Sequence, residues 1–464
     1  MLFMKKILTC TLFSFVFSAA SFGADLLDVY QQALDNDPIF KNAYDTYMAN
    51  TEAVPQARAA LLPQVNLSSQ ATRNVFNLNS GIFSVNDEYY NSVLWQVTAS
   101  QPLFNYEAWA KVRQAKAYVK AAQANFNDAA QDLILRTAKA YFEVLYAQDT
   151  LNFAEAKKRA NKRQLDQAQQ RYDVGLDAIT SVYEAKAAYD QSIATVIAAR
   201  NNKLNQYENL SKLTNHIYEF LSPFRHGTIP LVKPEPANAD RWVDTGLKQN
   251  YKLFAARYNL EMARENVKAL SAGNWPTIAL QTNTVQTYNY LGNSRPDNNP
   301  ILPKSQRQSN VGVALNFPVF QGGLVRSQTR QAQHQFQGSS EQFEQVYRNI
   351  TVNSRIAFNT IMDGISKVKA DRQTVISQKN SLESTEAQFE VGTRTMVDVV
   401  NAQQRLFEAQ QQLANDQYNL VNSVLTLKYL AGTLNVNDLQ LINSWLETTR
   451  ISGYKTTSAT AIKK

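Results

Sequence analysis

The sequence has very little cysteine and histidine. Among 464 residues it has one cysteine, Cys10, and three widely spaced histidines, His216, His226 and His334. Zinc sites, disulfide frameworks and thiol or histidine-triad enzymes need these side chains in pairs or clusters. The composition therefore argues against a metal site and against enzymes of those classes.

Glycine and proline are also scarce, with 15 and 13 residues, where about 7% and about 5% are usual. No proline lies between Pro102 and Pro223 or after Pro318. A proline inside a helix removes a backbone hydrogen bond and clashes with the preceding turn. The two proline-free segments can therefore hold very long helices.

The one long apolar run, from Ile7 to Phe17, lies near the N-terminus. Lys5 and Lys6 precede it and small residues follow it, which predicts a secretory signal peptide over residues 1–23, cleaved after Gly23 or Ala24. Cleavage removes two lysines, which lowers the net charge from +8 to +6, and also removes Cys10. On an exported chain with interspersed charges, this excess favours a solvated surface over a nucleic-acid partner. No later stretch approaches about 18 consecutive apolar residues, so no transmembrane helix is predicted.

Three motifs occur twice in the same order, which indicates an internal duplication. Residues 62–67 pair with 275–280, residues 101–104 with 317–320, and residues 171–182 with 388–399. We predict a first repeat over 24–215, a proline-rich linker over 216–240, a second repeat over 241–435, and a final segment with a polar tail over 436–464.

Each repeat contains two stretches in which apolar and small polar residues alternate. They lie at about 63–75, 91–101, 276–288 and 309–317. This period of two predicts strands between unlike environments, and about ten residues suit a transmembrane β-strand, although soluble sheets alternate in the same way. Proline is tolerated at the end of a strand. The predicted strand ends are marked by Pro63, Pro102, Pro276 and Pro318.

A long helix follows each strand pair, at about Asn105–Tyr172 and Leu324–Glu390. At 1.5 Å per residue each would extend about 100 Å, so it must pack laterally against other helices. Small and apolar residues recur every seven positions in the first helix, which predicts a coiled-coil-like seam. Gly175 and Gly392 would then reverse the chain into a return helix, because glycine adopts positive φ readily.

Four strands per chain cannot close a barrel, since small barrels need about eight. An open sheet edge in lipid would leave backbone groups without hydrogen-bond partners. If these strands span a membrane, cyclic assembly is required, and two, three or four copies would give 8, 12 or 16 strands. The strand count alone does not choose among them.

The exported, duplicated chain resembles the TolC family of outer-membrane efflux and secretion channels over nearly its whole mature length. The matching motifs lie at residues 26–32, 60–64, 318–323, 391–399 and 432–435. Because no anchoring cysteine remains, the resemblance is closer to the member that gives the family its name than to the lipid-anchored drug-efflux branch. The resemblance implies a mixed fold, mainly long α-helices in a periplasmic α-barrel plus a transmembrane β-barrel of 4 strands per chain and 12 per homotrimer. The linker and the final segment would lie at the equator of the α-barrel.

The resemblance also implies what the protein does. It implies a passive outer-membrane channel for drugs or secreted proteins, served by a periplasmic adaptor protein and an inner-membrane efflux pump or ABC exporter, with no cofactor, metal or nucleic acid. The alternative is a periplasmic coiled-coil scaffold or adaptor, which would leave the repeated strand pairs unexplained. Walker, His-Glu-x-x-His and nucleophile-elbow motifs are all missing from the sequence, so we do not expect an enzyme.

In the family, two aspartates on the return helix form carboxylate rings that close the periplasmic entrance. Here Asp398 matches the first ring position, and Asn401 stands at the second. An arginine before the rings, together with a tyrosine, contacts a Thr-Asp pair on the neighbouring hairpin. Arg394 and Thr180 match the arginine and the threonine.

Two members of this family gate are replaced. Ser181 stands in place of the aspartate of the pair, and Phe389 in place of the tyrosine. Since charge-assisted hydrogen bonds are lost, the resemblance implies a gate that depends more on packing around Phe389 and Val182. The nearby turns at Gly175 and Gly392 are then the expected hairpin tips and adaptor contacts.

Overall fold

Two very long helical hairpins and one four-stranded antiparallel sheet make up the protein. The computed structural model describes residues 23–79, 84–291 and 303–447. Residues 1–22 of the predicted signal peptide and the tail from residue 448 lie outside these ranges. The helices are α1 (Leu26–Asn36), α2 (Pro38–Thr51), α3 (Ala53–Ala59), α4 (Tyr106–Asp173), α5 (Ile179–Thr214), α6 (Ala239–Gln249), α7 (Tyr251–Ser271), α8 (Leu324–Glu390), α9 (Met396–Leu430) and α10 (Val436–Asn443). The strands are β1 (Gln64–Asn79), β2 (Ser84–Phe104), β3 (Thr277–Leu291) and β4 (Ser305–Asn316).

Helices α4 and α8 run 68 and 67 residues without interruption. Each begins shortly after a strand pair, and each returns through a shorter helix, α5 or α9. Asn105 caps the start of α4, because its side chain accepts a hydrogen bond from the backbone N–H of Ala108 at 3.0 Å. The order of short helices, two strands, long helix and return helix occurs twice along the chain.

The sheet has the order β1-β2-β3-β4, and each neighbouring pair is antiparallel. All four strands extend further toward the loops than the alternating pattern predicts. Residues 76–79 and 84–90, expected in a loop, belong to β1 and β2. The hydrogen-bonded ladder continues there without apolar alternation, because backbone pairing does not require apolar side chains.

Two of the four prolines lie two residues from the strand end that they are predicted to mark. Pro102 lies inside β2, opposite Ala279, where a register shift follows between Pro102 and Phe104. Such a bulge tolerates the missing N–H of proline. β4 ends at Asn316, so Phe317 is outside the strand and Pro318 lies two residues beyond it. Pro63 and Pro276, in contrast, directly precede β1 and β3.

The main hydrophobic core lies midway along the long helices. There the linker residues pack against α4 and α9, and the rings of Phe142, Phe224 and Tyr418 stack with centroids 5.5–6.0 Å apart. The Tyr141 hydroxyl donates a hydrogen bond to the Ser222 carbonyl at 2.7 Å. The short helices α1, α6 and α10 cover this region and bury its apolar side chains, so it joins both halves of the chain.

Candidate functional site

The first functional feature is the difference between the two faces of the sheet. Directly paired residues lie on the same face. One row contains Val65, Ala99, Thr282 and Val311, and the next row, on the opposite face, contains Asn66, Thr98, Asn283 and Asn310. We call these the apolar face and the polar face.

The polar face carries side chains that hydrogen-bond to one another. Gln96 donates to the side-chain oxygen of Asn283 at 3.0 Å, and Asn74 donates to the Ser92 hydroxyl at 2.8 Å. Over residues 64–74, 90–100, 279–287 and 306–314, this face has no charged residue, whereas Arg73 and Arg307 lie on the apolar face, toward its loop end. Val97 and Leu280 lie on the apolar face and are 42% and 41% exposed.

The second feature is the pair of hairpin tips, which have the same backbone geometry. Gly175 and Gly392 have φ of 75° and 80°, the left-handed region that favours glycine. At each tip an N–H beyond the glycine donates back into the last helical turn, from Leu176 to Arg171 at 2.8 Å and from Thr393 to Gln388 at 2.9 Å. These are Schellman C-caps, which end α4 and α8 and reverse the chain.

Asp398 completes a capping box with Thr395, the N-cap residue of α9. Its carboxylate accepts hydrogen bonds from the backbone N–H and the hydroxyl of Thr395, both at 2.9 Å, and Arg394 lies 3.8 Å away. The backbone hydrogen bond from Thr395 is the main cause that lowers the pKa of Asp398. A lowered carboxyl pKa adds stability above the unfolded pKa, and this stability is lost as the pH falls through the folded pKa. The cap is therefore intact at neutral pH.

Phe389 lies in a small apolar cluster that joins the two hairpins. It is 6% exposed and packs with Val182 and Val399, among others. The Arg171 guanidinium lies over the ring, 5.0 Å from its centroid. Because Val182 is on the first hairpin and Phe389 on the second, this cluster and the cation–π contact connect the tips within one chain.

Arg171 and Asp177 form a contact that was not predicted from the sequence. Their side chains lie 3.7 Å apart, and the Asp177 carboxylate accepts a hydrogen bond from the Ser181 hydroxyl at 2.9 Å. The duplicated motif contained a signal for it, since Arg171 and Asp177 align with Gln388 and Arg394. That second pair is also in contact, with Arg394 donating to the Gln388 side chain at 3.1 Å.

The remaining predicted gate residues stay apart within one chain. Thr180 and Asn401 are exposed. Among the described residues, no hydrogen bond or ion pair connects Arg394 with Thr180 or Ser181. The polar contacts of the predicted gate are thus local to each tip, whereas the apolar contacts cross between the tips.

Within residues 23–79, 84–291 and 303–447, no three His, Cys, Asp or Glu side chains are grouped so that they could hold a metal ion. In the same ranges, no helix combines the length and the apolar character required to cross a membrane.

Comparison with known proteins identifies the family. Residues 29–216 and 242–433 match the family described as Outer membrane efflux protein. The chain belongs to this family. It is 36% identical to outer membrane protein TolC of Escherichia coli (strain K12) over 434 residues, which cover 93% of this chain and 86% of the relative. It is 28% identical over 427 residues to the alkaline protease secretion protein AprF of Pseudomonas aeruginosa, covering 91% and 87%.

Solved structures show the same fold. The Campylobacter jejuni CmeC outer membrane channel has a TM-score of 0.75 at 16% identity, over 91% of this chain and 90% of that one. The Vibrio cholerae outer membrane protein VceC has a TM-score of 0.74 at 19% identity, over 88% and 96%. Family membership confirms the predicted fold class, the outer-membrane location and the function in efflux and secretion.

The apolar cluster at the tips leads to a prediction. Phe389→Ala should lower the free energy that is needed to separate the two hairpin tips by about 3–5 kcal/mol. This is the usual cost of truncating a buried phenylalanine. Hydrogen exchange of the backbone amides around residues 382–399 measures this free energy. Val391→Ala is the matched control, because Val391 is two residues away and 75% exposed. Equal exchange in the two variants would show that the Phe389 ring does not hold the tips together.

Proposed function

We propose that three copies of this chain form one outer-membrane channel that conducts passively. The sheets of the three copies would join edge to edge into a closed barrel of twelve strands, and the helical hairpins would form a periplasmic tunnel. The observation that carries the proposal is the two-faced sheet with open outer edges on β1 and β4. Closure satisfies those edges, with the apolar face toward lipid and the polar face toward water.

The repeats that we infer over 24–215 and 241–435 would each supply one strand pair and one helical hairpin to this channel. The linker over 216–240 and the segment after residue 435 would surround the tunnel at its equator. This arrangement is supported by the core midway along α4 and α8, where those segments pack.

The partners are those that the resemblance to the family implies, and the sequence contains no Walker motif that could supply transport energy itself. Transport energy would come from an inner-membrane efflux pump or ABC exporter, which a periplasmic adaptor protein would connect to the hairpin tips near Gly175 and Gly392. The relatives include a protein named for alkaline protease secretion and one named for efflux, BepC of Brucella suis. For this chain we therefore propose drugs and secreted proteins as cargo classes.

The gate would lie at the hairpin tips. Asp398, Arg394 and Thr180 would occupy the family positions, while Asn401, Ser181 and Phe389 would change their chemistry. Three copies of Asp398 around an axis would attract cations, and Asn401 would add no second ring. Packing around Phe389 supports a closure that depends less on charge, because this ring already joins the two hairpins.

The orientation of the sheet can be tested with neighbouring residues on opposite faces. Val97→Lys should cost about 2–4 kcal/mol per chain, because a lysine would then face lipid. Thr98→Lys is the matched control, since Thr98 lies on the polar face. The yield of SDS-resistant trimer in outer-membrane fractions measures the effect. Normal trimer yield from Val97→Lys would refute the orientation or the barrel.

The gate can be tested by restoring the family residues. Ser181→Asp combined with Phe389→Tyr should lower the resting conductance of single channels in planar bilayers, because both changes add polar contacts between hairpins. Ser181→Asn with Phe389→Tyr is the uncharged control and should lower the conductance less.

The Asp398 ring has a separate readout in the same bilayers. Asp398→Asn retains an oxygen that can accept the hydrogen bonds of Thr395, so it removes the charge and keeps the helix cap. We expect it to weaken block by trivalent cations. Unchanged block, together with unchanged conductance in the restored variant, would place the gate elsewhere.

A further inference from the structure

One arginine at the hairpin tips lies between two partners that belong to different hairpins. Arg171 is in the last turn of α4, where the helix dipole favours a cation. Its guanidinium lies over the Phe389 ring of the second hairpin, 5.0 Å from the ring centroid. Asp177 lies on the first hairpin, between α4 and α5, and its carboxylate is 3.7 Å from the same guanidinium. The arginine thus has one partner across the tips and one within its own hairpin.

The ion pair within the first hairpin is incomplete. The two atoms that lie 3.7 Å apart are the Arg171 Nε and the Asp177 Oδ2, and this distance is too long for a hydrogen bond. Both atoms are inaccessible to solvent, and neither forms a hydrogen bond with any residue that the structure describes. Since neither water nor a ligand can reach them, only a movement of the guanidinium toward the carboxylate would satisfy both atoms.

The Asp177 carboxylate is fixed by its other oxygen. Its Oδ1 accepts hydrogen bonds from the backbone N–H of Ala178 and from the Ser181 hydroxyl, each at 2.9 Å. The carboxylate is therefore in place, yet the guanidinium stays beyond hydrogen-bonding distance of Oδ2. We conclude that the Phe389 ring, and not Asp177, sets the position of Arg171 in this structure.

We propose that Arg171 is a switch residue of the hairpin tips. While the tips are together, its guanidinium lies on the Phe389 ring and stabilises the contact between the hairpins. When the Phe389 ring withdraws, the guanidinium forms the charge-assisted hydrogen bond with Asp177 that is missing here. The ring and the carboxylate compete for one cation, so Phe389 favours closed tips and Asp177 favours separated tips.

The switch has a consequence for the entrance gate. If the tips form that gate, which rests on the proposed function, Arg171 contributes a charge to its closure through an aromatic ring instead of a carboxylate. The competition itself is a property of one chain. It requires neither a membrane nor conduction.

The contact between Arg171 and the ring can be tested with almost no change in side-chain size. Phenylalanine at position 389 is replaced by its mono-, di- and trifluorinated analogues, which progressively weaken the negative face of the ring. Hydrogen exchange of the backbone amides around residues 382–399, in the protein in detergent, measures how often the tips separate. Exchange should become faster with each fluorine, by about tenfold over the series.

Arg171→Gln shows whether this arginine is the cation involved. It should accelerate exchange by about tenfold and abolish the dependence on fluorine, because no cation remains over the ring. Arg159→Gln is the matched control, since Arg159 lies on the same helix, is 68% exposed and pairs with Glu155 one turn away. A dependence on fluorine that persists in Arg171→Gln, or that is missing from the chain with Arg171, would overturn the proposal.

Asp177→Asn tests the competition, because the expected change has the opposite sign. Asparagine keeps the oxygen that accepts hydrogen bonds from Ala178 and Ser181, but it removes the charge that attracts Arg171. Exchange at the tips should slow by about threefold or more, and this effect should vanish when Arg171→Gln is also present. Unchanged or faster exchange would contradict the switch.

The failure of the switch and the failure of the channel give different results. A chain without the switch would show no dependence on fluorine and would still give a normal yield of SDS-resistant trimer. A chain that forms no channel would give no trimer, whatever the exchange at its tips.

Discussion

The unpaired outer edges of β1 and β4 are the constraint on which the structure depends. Within the described residues the sheet ends at these two strands, and each outer edge exposes a row of backbone N–H and C=O groups. In lipid each unpaired group would cost several kcal/mol. Over residues 64–71, 93–100, 278–284 and 309–315, one face of the sheet is mainly apolar and the other is mainly polar, so closure with further copies satisfies both the edges and the faces. Assembly is thus a condition for this chain to function in a membrane.

The long helices are packed more extensively at their middle than at their tips. The core midway along α4 and α8 includes large, fully buried side chains such as Tyr141, Phe142 and Ile361. The cluster at the tips has only six buried side chains, and three of them are small: Ala168, Val182 and Ala185. Regions with few buried apolar contacts open at lower free-energy cost than the core. The hairpins can therefore move at the tips while the middle stays packed.

Much of this architecture could be read from the sequence, because the patterns are local. The two proline-free segments predicted the positions of α4 and α8. Single glycines predicted both tips, where the structure shows positive φ. The loop-side ends of the strands could not be read, since backbone pairing continues there without alternating side chains. Pro102 within β2 was missed for a similar reason, because a bulge removes the need for its N–H. The contact of Arg171 on the first hairpin with the Phe389 ring on the second depends on which helix faces lie together in space, which no short sequence window contains.

The central claim, a barrel with the apolar face in lipid and the polar face in water, can be measured residue by residue. The mature chain is expected to have no cysteine, because Cys10 lies in the predicted signal peptide, so single cysteines can be placed at each position from 93 to 100 in β2. In the assembled protein in bilayers, a water-soluble maleimide should label positions 94, 96, 98 and 100, while lipid-borne quenchers should reach probes at 93, 95, 97 and 99. Labelling without this alternation, or with the opposite phase, would contradict the account.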